Sequence, residues 1–504
     1  MYRILKATAD TYITDKIINS SFRATDANVG NAGTIDLFKL YDESNLSGST
    51  DPQIELSRAL IKFDLNPLRA MTGSILDISN PTFKCTLRMF DVYGGQPTPT
   101  NFKLILFPLS QSFDEGLGRD ISLFQDIDSS NFITASVALS GTSLWYSSGA
   151  NRQGLLGSSD IDIVSSGTIN GSIVDLWTEQ RFALGEEDLE MNITTIVSAT
   201  IAGILPDKGF RLSYSGTHET DTRSRFVKRF ASRHSTNTRK LPQITVQWDD
   251  STLDDHRGMF FDLTGSLFLN NRHRLAPANI VSGSGLTSIS GTNCLLLTLK
   301  TGSFSVSITG SQHRVGTSYV TGVYSASFAI TSNVTASMMT EIRSAGSATF
   351  TEIWSSLDGT VGYHTGTLVM RSIGRSSFSN GISQFTMNVQ NMRTSYRSTE
   401  KTRFRVFAFD ESDIRASRGP IERESVTLRE AFYQIRDTYT SDVIIPFDTA
   451  SYSTRMSTDS DGMYFDMYMD SLSIGRVYSI DVLVKENGVD QVFAQVGGRF
   501  RIDP

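Results

Sequence analysis

The sequence has little cysteine and no long apolar run, and both shortages limit what it can be. Cys85 and Cys294 are its two cysteines in 504 residues. So wide a separation argues against a disulfide framework and a cysteine zinc site, and we expect two buried, inert thiols. No window approaches 18 consecutive apolar residues, and the opening MYRILKATADTYITDKI lacks the apolar core of a signal peptide. We therefore expect synthesis in the cytoplasm and no membrane span.

Charge and proline are also scarce. Charged residues make up 20% of the chain, with 46 basic against 53 acidic, and there are 12 prolines. A net charge of −7 argues against a protein that coats DNA with its whole surface, so any nucleic-acid contact has to be a local patch. The low charge, with aromatics at 10%, is typical of a β-rich protein. The length predicts two to four domains.

Apolar residues alternate with polar ones in short segments along the chain. In RALIKFDL, alternate residues from Ala59 to Leu65 are apolar, whereas Arg58, Lys62 and Asp64 lie on the opposite face. This period of two predicts half-buried strands. The pattern recurs in KCTLRMFD (84–91), FKLILFPL (102–109), QITVQW (243–248), RFRVFAFD (403–410) and YSIDVLV (478–484). The predicted fold class is all-β, with several antiparallel β-sandwich domains in series.

One segment departs from this alternation. Between 193 and 205 the apolar residues recur at spacings of three and four, which predicts a short helix packed on a sheet edge. Asn192 is the expected N-cap, and Pro206 and Gly209 are the expected stop signals.

The first half resembles a known family in the order of its motifs. These are ADTYI (9–13), a loop with Asn28, Gly30 and Gly33, then RALIKFDL, CTLRMF, a short helix, GFRLSY (209–214), FASRHSTN (230–237) and LPQITVQW (241–248). This order resembles the DNRLRE family of β-sandwich domains, which are related to carbohydrate-binding modules. Phe230, Ser232 and Pro242 match the family's pattern before its last strand, but His234 stands where the family has Glu. The resemblance implies a sandwich over residues 1–250, carrying a long loop insert at 101–189.

The second half is organised differently. Residues 251–262 have the polar composition of a linker, Ser/Thr/Gly-rich strands follow from Ser266 to about Asn391, and a sandwich of immunoglobulin-like size is expected at 402–504. We predict a β-rich middle domain at 251–401. The stretches TDSDGMYFDMYMDSL (458–472) and GRVYSIDVLV (475–484) resemble virion structural proteins of T4-like marine and cyanobacterial tailed phages.

That second resemblance implies a function. It implies that the protein is a non-enzymatic structural component of a tailed-phage virion, at the neck, tail or baseplate. The implied partners are other virion structural proteins, and further copies of this chain in a symmetric homo-oligomer. The expected location is the virion.

Sequence patterns for catalysis and metal binding are weak. The six histidines form no HExxH motif and no i,i+4 pair. Asp114, Glu115 and Asp120 offer paired carboxylates for glycoside hydrolysis, but their Gly-rich segment favours a turn. Asp10 is either a calcium ligand or a turn-forming residue. We expect no catalytic residue, no metal and no cofactor.

A dense basic run lies in residues 223–240. Its members are Arg223, Arg225, Lys228, Arg229, Arg233, Arg239 and Lys240. Such a run is either a groove for phosphate or acidic glycan, or a charged surface that docks on a neighbouring subunit. Phe226 and Phe230 are both expected to face the core, which leaves few aromatics for base stacking and makes nucleic acid an improbable partner. A second positive stretch runs from Arg371 to Arg405, with Glu400 as its one acid.

Two alternatives to the structural role stay open. The chain is a glycan-binding host-recognition adhesin if aromatic side chains of the insert are exposed, with Trp145, Tyr146 and Trp177 as candidates. It is a glycan-degrading enzyme if two carboxylates flank a cleft at catalytic separation.

Overall fold

The computed structural model of the protein describes residues 1–73, 75–95, 98–122, 126, 128–274, 276–283, 286–333, 335–372, 384–411, 425–486 and 488–504. It has two compact units. The N-terminal unit comprises Arg3–Ala70 and Phe83–Val246, and the C-terminal unit comprises Met1–Tyr2, Met71–Thr82 and Gln247–Pro504. Both are built from short, mainly antiparallel strands, so the all-β prediction is confirmed. The division at 250 and 401 stays a prediction.

The N-terminal unit holds three helices and the first group of strands. Tyr2, which begins the first of these strands, and Gln247, which ends the last, belong to the C-terminal unit. The helices are α1 (Asn66–Arg69), α2 (Thr194–Ile201) and α3 (Thr217–Thr220). The strands are β1 (Tyr2–Thr14), β2 (Ile17–Ile18), β3 (Phe22–Arg23), β4 (Thr34–Tyr41), β5 (Ile54–Phe63), β6 (Lys84–Met89), β7 (Phe102–Pro108), β8 (Thr134–Ala138), β9 (Gly141–Leu144), β10 (Gln153–Leu155), β11 (Ile163–Ile169), β12 (Ser172–Asp175), β13 (Thr178–Phe182), β14 (Leu189–Asn192), β15 (Phe210–Tyr214), β16 (Arg225–Ala231) and β17 (Gln243–Gln247).

The main sheet of this unit has the order β13-β7-β15-β5-β1-β17-β6-β14, and β4 joins β5 to β16. The insert adds a β8–β9 hairpin and a small sheet of order β10-β11-β12, in which β10 and β11 run parallel. An isolated bridge between Leu109 and Ile163 joins the small sheet to the chain just after β7. The insert is therefore attached at the end of β7, one strand in from the edge of the main sheet.

The core of this unit is aromatic. The rings of Phe102 and Phe182 stack with centroids 5.0 Å apart, and Phe230 meets Phe182 edge-on at 6.4 Å.

Cys85 is fully buried, as expected, but Cys294 in the other unit is only half-buried. Arg58, predicted to face outward, is buried because its guanidinium donates to Glu219 (2.8 Å) and to a backbone carbonyl (2.7 Å). Paired in this way, a long polar side chain can lie inside.

The predicted helix exists but is shorter than expected. α2 ends at Ile201 because Gly203 takes a left-handed φ of 76°, and the amides of Ile204 and Leu205 both turn back to the Ala199 carbonyl. At its start, Asn192 accepts a hydrogen bond from the amide of Thr194 (3.0 Å).

The C-terminal unit contains one described helix longer than a turn, α4 (Ala336–Ala345), and a 3₁₀ turn at Met469–Ser471. Its strands are β18 (Gly265–Asn270), β19 (Arg272–His273), β20 (Ala276–Pro277), β21 (Val281–Ser282), β22 (Thr287–Ser288), β23 (Leu295–Thr301), β24 (Phe304–Val315), β25 (Ser318–Phe328), β26 (Ser347–Ser355), β27 (Gly362–Arg371), β28 (Phe385–Val389), β29 (Ser395–Arg397), β30 (Lys401–Asp410), β31 (Ala431–Asp437), β32 (Val443–Ile445), β33 (Ser457–Asp459), β34 (Gly462–Tyr468), β35 (Val477–Glu486), β36 (Val489–Phe493) and β37 (Arg499–Asp503).

The middle of the chain forms one six-stranded sheet, of order β18-β25-β24-β23-β26-β27.

The expectation of a flexible linker at 251–262 is wrong. Asp254, Asp255, Met259 and Phe261 are all buried, and Met259 and Phe261 belong to the apolar core of this sheet. A polar composition does not require solvent when the polar groups find partners inside the fold.

The last part of the chain is a sandwich of two sheets. Their orders are β28-β30-β34-β33 and β29-β37-β35-β31-β32, with β36 paired to β35. Rings from opposite sheets meet in the middle: Tyr433 stacks on Phe465 at 4.0 Å, and Phe404 lies 5.7 Å from Phe500. Strands β28 and β29 lie before residue 402 and pair with β30 and β37.

The helix α4 was missed by the strand prediction for residues 266–391. The side chain of Thr335 caps its first turn by accepting from the amide of Met338 (3.2 Å), and Gly346 ends it with a left-handed φ of 72°. These two residues are the start and stop signals of a short helix, and they could have been found in the sequence.

Candidate functional site

The basic run, the charged stretch within residues 223–240, lies on and around β16. Four of its members form ion pairs within the N-terminal unit. Arg225 pairs with Asp221 (2.6 Å), Lys228 with Asp91, Arg229 with Asp36 (2.5 Å) and Arg233 with Glu115 (2.5 Å). These charges are therefore largely neutralised by the unit's own acids.

Strand register explains the Arg229 pair. Arg229 on β16 lies directly opposite Asp36 on β4, and the guanidinium donates two hydrogen bonds to the carboxylate. Opposite charges at facing positions stabilise a sheet, and a bidentate geometry strengthens the pair. The hydrogen bond to Asp36 raises the pKa of Arg229 above its usual value.

Lys228 is the most deeply placed member of the run. Its side chain is fully buried, its ammonium group donates to Asp91 and to the carbonyls of Gly185 and Glu187, and it lies 4.8 Å from the ring centroid of Phe230. Burial lowers the pKa of Lys228. This lysine is a structural element of the core.

The remaining members of the basic run lie nearer to solvent. Arg223 and Lys240 are exposed and Arg239 is half-buried. The core prediction is confirmed for Phe230, which is fully buried, and wrong for Phe226, which is 44% exposed. The register of β16 against β4 shifts between Arg225 and Lys228, so Phe226 does not share the buried side of Phe230.

A cluster of ionisable groups surrounds Glu115. Its carboxylate accepts from the amide of Asp10 (3.0 Å) and from the Arg233 guanidinium, and it lies 3.2 Å from Nε2 of His234. The Asp10 carboxylate accepts from the amide of Arg233 (2.6 Å), and burial raises its pKa to about 7. His234 thus contacts an acid that is 119 residues away in the sequence, Glu115.

The other two acids of this loop also have structural partners. Asp114 accepts from the amide of Val137 (2.6 Å), and Asp120 accepts from the amide of Ser122 (2.5 Å). Among the residues that the structure describes, no group of three or more His, Cys, Asp or Glu side chains is arranged to hold a metal ion.

The insert is organised by one buried acid that the sequence did not single out. Asp162 is fully buried, and its carboxylate accepts hydrogen bonds from the amides of Tyr146 (2.8 Å), Ser147 (3.0 Å) and Arg152 (2.8 Å) and from the side chain of Gln111 (2.7 Å). Four donors to one carboxylate fix the ends of several loops at a point.

The small sheet of the insert exposes two aliphatic side chains on one face. Pairing places Leu155 beside Ser166 and Asp175, and Thr168 beside Ile173, all on one side of the sheet. Leu155 is 59% exposed and Ile173 is 82% exposed. We call this side the insert face, defined by Leu155, Ser166, Thr168, Ile173 and Asp175.

The aromatic candidates of the insert differ in exposure. Trp145 is buried, and its indole N–H donates to the carbonyl of Asn131 (2.9 Å), so its predicted role as an exposed contact is wrong. Tyr146 is 51% exposed and Trp177 is 38% exposed. Tyr146 and Trp177 therefore remain available to a partner.

The insert also carries the chain's negative charge. Residues 101–189 contain four basic and twelve acidic residues, a net charge of −8, whereas the rest of the chain contains 42 basic and 41 acidic residues, a net charge of +1. The acidic character found in the composition is therefore local to the insert.

The second positive stretch, from Arg371 to Arg405, is only partly described because residues 373–383 lie outside the described part. Within it, Arg393 pairs with Glu400, Arg403 with Asp466 (2.8 Å) and Arg405 with Asp459 (2.9 Å). Here too, cations that are dense in sequence pair with acids of the same unit.

Comparison with known proteins identifies no family for this chain. No protein-family description matches the chain, and no curated protein matches it. Among solved structures, a titin fragment, Titin-A168169, aligns over 50% of this chain and 95% of its own, with 7% identity and a TM-score of 0.15. A putative membrane anchored protein from Corynebacterium diphtheriae aligns over 100% of this chain and 97% of its own, with 8% identity and a TM-score of 0.15. Likenesses at this level support no statement about fold or function.

The described helices are short, and α4 has ten residues. In the part of the chain that the structure describes, none is both long and apolar enough to cross a membrane.

Proposed function

We propose that this protein is a non-enzymatic structural component of a tailed-phage virion, at the neck, tail or baseplate, and that the insert face is one of its assembly surfaces. The stretches at 458–472 and 475–484, which resemble virion structural proteins, support the first part. The observation that carries the second part is the insert face itself, on which Leu155 of β10 and Ile173 of β12 are both exposed, on the two outer strands of the small sheet.

Exposed aliphatic side chains on a sheet need a physical reason. Single apolar residues are ordinary on a surface, but two large aliphatic side chains exposed on one face of a sheet with a free strand edge favour an interaction site. β12 is an edge strand of its sheet, so its backbone is open to pairing as well as its side chains. The local charge of −8 favours a partner surface with basic residues, since opposite charges orient association.

Glycan binding by the insert is the second candidate function. Tyr146 and Trp177 support it because exposed aromatic rings can pack on sugar rings. The two functions differ in what they need: assembly needs the insert face, and glycan binding needs the aromatic pair.

The test is complementation of a phage that lacks the gene, with detection of the protein in purified particles by mass spectrometry. The double variant Leu155→Glu/Ile173→Glu is expected to fold but to be lost from particles. Val492→Glu is the matched control, because Val492 is 60% exposed on β36. Normal incorporation of the double variant would contradict the assembly surface, and absence of the unchanged protein from particles would contradict the virion role.

A further inference from the structure

The C-terminal unit contains a cavity of about 210 Å³. One wall comes from the six-stranded sheet and its β19–β20 hairpin, and the opposite wall comes from the sandwich strands β30 and β34. Asn270, Arg272 and His313 line the first wall, and Lys401, Arg403 and Tyr464 line the second.

His313 lines this cavity at an irregularity of the sheet. Gln312 pairs with Tyr324 and Arg314 pairs with Tyr319, so residues 320–323 of β25 lie opposite His313 alone, and the extra residues are on β25. Irregular pairing of this kind is common next to functional sites. The His313 ring packs edge-on against Phe268 at 5.0 Å, and burial lowers its pKa, so the imidazole is neutral at pH 7. A neutral imidazole offers one donor and one acceptor.

Two polar groups on the same wall have no partner among the described residues. Asn270 ends β18 opposite Val323, and Arg272 follows in the hairpin. Neither the Asn270 amide nor the Arg272 guanidinium has a hydrogen bond or ion pair to a described side chain or carbonyl. Gly322 allows this arrangement: a Cβ there would lie 2.6 Å from the carbonyl oxygen of Asn271, and its φ is +75°. The hairpin can therefore approach β25 only because residue 322 is glycine.

The opposite wall has more positive charge than its acid neutralises. Lys401 (3.2 Å) and Arg403 (2.8 Å) share the carboxylate of Asp466, and the Arg403 guanidinium lies 4.0 Å over the ring of Tyr464. The other lining charges are balanced, since Arg455 pairs with Asp249 (2.9 Å) and Asp250 with the amino group of Met1. Together with Arg272, this leaves the cavity cationic.

We propose that this cavity binds an acidic monosaccharide, a ring-bearing ligand with one carboxylate. The carboxylate is recognised by Arg272 and by the Lys401–Arg403 pair through charge-assisted hydrogen bonds. The Asn270 amide and the neutral His313 both donate and accept, which suits the hydroxyl groups of a sugar better than a phosphate, most of whose oxygens are acceptors. Val315 and Val320, which also line the cavity, supply an apolar surface for the ring.

The proposal goes beyond virion assembly and does not depend on it. The full chain is titrated with sodium D-glucuronate by saturation-transfer NMR and calorimetry, with D-glucose and inorganic phosphate as comparison probes. We expect saturable binding of glucuronate, and weaker binding of glucose by about tenfold or more, the factor that one charge-assisted hydrogen bond contributes.

Variants locate the site. Arg272→Gln is expected to weaken glucuronate binding about tenfold, whereas Arg274→Gln, in the same exposed turn but outside the cavity, leaves it unchanged. His313→Ala is expected to weaken both sugars. Absence of saturable glucuronate binding overturns the proposal, as does equal binding of glucose. Phosphate binding as tight as glucuronate and equally lost in Arg272→Gln overturns the sugar assignment.

Discussion

The basic run and the hairpin at 270–274 use positive charge in opposite ways. In the basic run, the sequence is dense in cations but four of them pair with acids of the same unit. In the hairpin, Arg272 and Arg274 are exposed, and neither has an ion-pair partner among the described residues. Most of the positive charge of the basic run is therefore neutralised by its own unit, whereas both arginines of the shorter hairpin keep theirs.

The difference follows from strand pairing. Asp36, Asp91 and Glu115 are all more than 100 residues from their partners in the basic run, and β16 brings them together. The hairpin at 270–274 pairs with its own second strand, at Arg272–Pro277 and His273–Ala276, and with β25, at Asn270–Val323. No acid is placed opposite its arginines there. Free charge is thus a property of the neighbouring strands and not of local composition.

The largest expected effect on stability concerns a paired cation of the C-terminal unit. His256 lies between Asp254 (2.5 Å) and Glu352 (2.9 Å), and both acids are buried. His256→Ala leaves two buried carboxylates without a cation, so we expect a loss of about 3–5 kcal/mol in the free energy of unfolding. Urea unfolding followed by tryptophan fluorescence measures it, with the exposed His273→Ala as the control expected to stay within about 0.5 kcal/mol.

The same histidine predicts a pH dependence. Its two acidic partners raise the pKa of His256 to about 10, against the burial that opposes its charge. Because the folded state holds this proton more tightly, the stabilisation is complete below about pH 6.5 and is lost as the pH rises towards 10. We expect the stability difference between the wild type and His256→Ala to shrink over that range. A difference that is constant or grows with pH contradicts the ion-pair role.

The next effect compares two cations of the basic run itself. Lys228→Ala removes a buried ammonium and leaves Asp91 and two carbonyls without their donor, so we expect a loss of about 3 kcal/mol. Arg223→Ala, at an exposed position of the same run, is expected to change stability by less than about 0.5 kcal/mol. Thermal and urea unfolding of both variants provides the measurement. Equal effects contradict the distinction between paired and solvated cations.

Strand existence could be predicted from the sequence, and strand neighbours could not. The alternation in RALIKFDL, KCTLRMFD and RFRVFAFD gave β5, β6 and β30 correctly, because one-sided burial leaves a period of two. The burial of Arg58 was missed because it depends on Glu219, 161 residues away. Local patterns carry no information on which strand lies beside which.

The candidate sites show the same limit. The exposure of Tyr146 and the burial of Trp145, adjacent residues, are decided by the Asp162 and Asn131 contacts of the insert. The irregularity opposite His313 depends on the register of β24 against β25, and a three-residue shift in pairing has no signature in the sequence. The cap residues Thr335 and Gly346, by contrast, are local signals, and attention to them would have predicted α4.

The smallest expected effect concerns DNA. Since most of the basic run is paired internally, the full chain is expected to show no saturable binding to duplex DNA at physiological salt, about 0.15 M ionic strength. Reversing Arg229 and Arg233 is a poor test because it places acids against Asp36 and Glu115 and destabilises the fold. The double variant Arg223→Ala/Lys240→Ala changes the exposed cations instead. Fluorescence anisotropy over a salt series measures binding, and each phosphate contact contributes about 0.9 to the slope of log affinity against log salt. Tight, steeply salt-dependent binding that this double variant weakens would show that the basic run contacts phosphate despite its internal pairs.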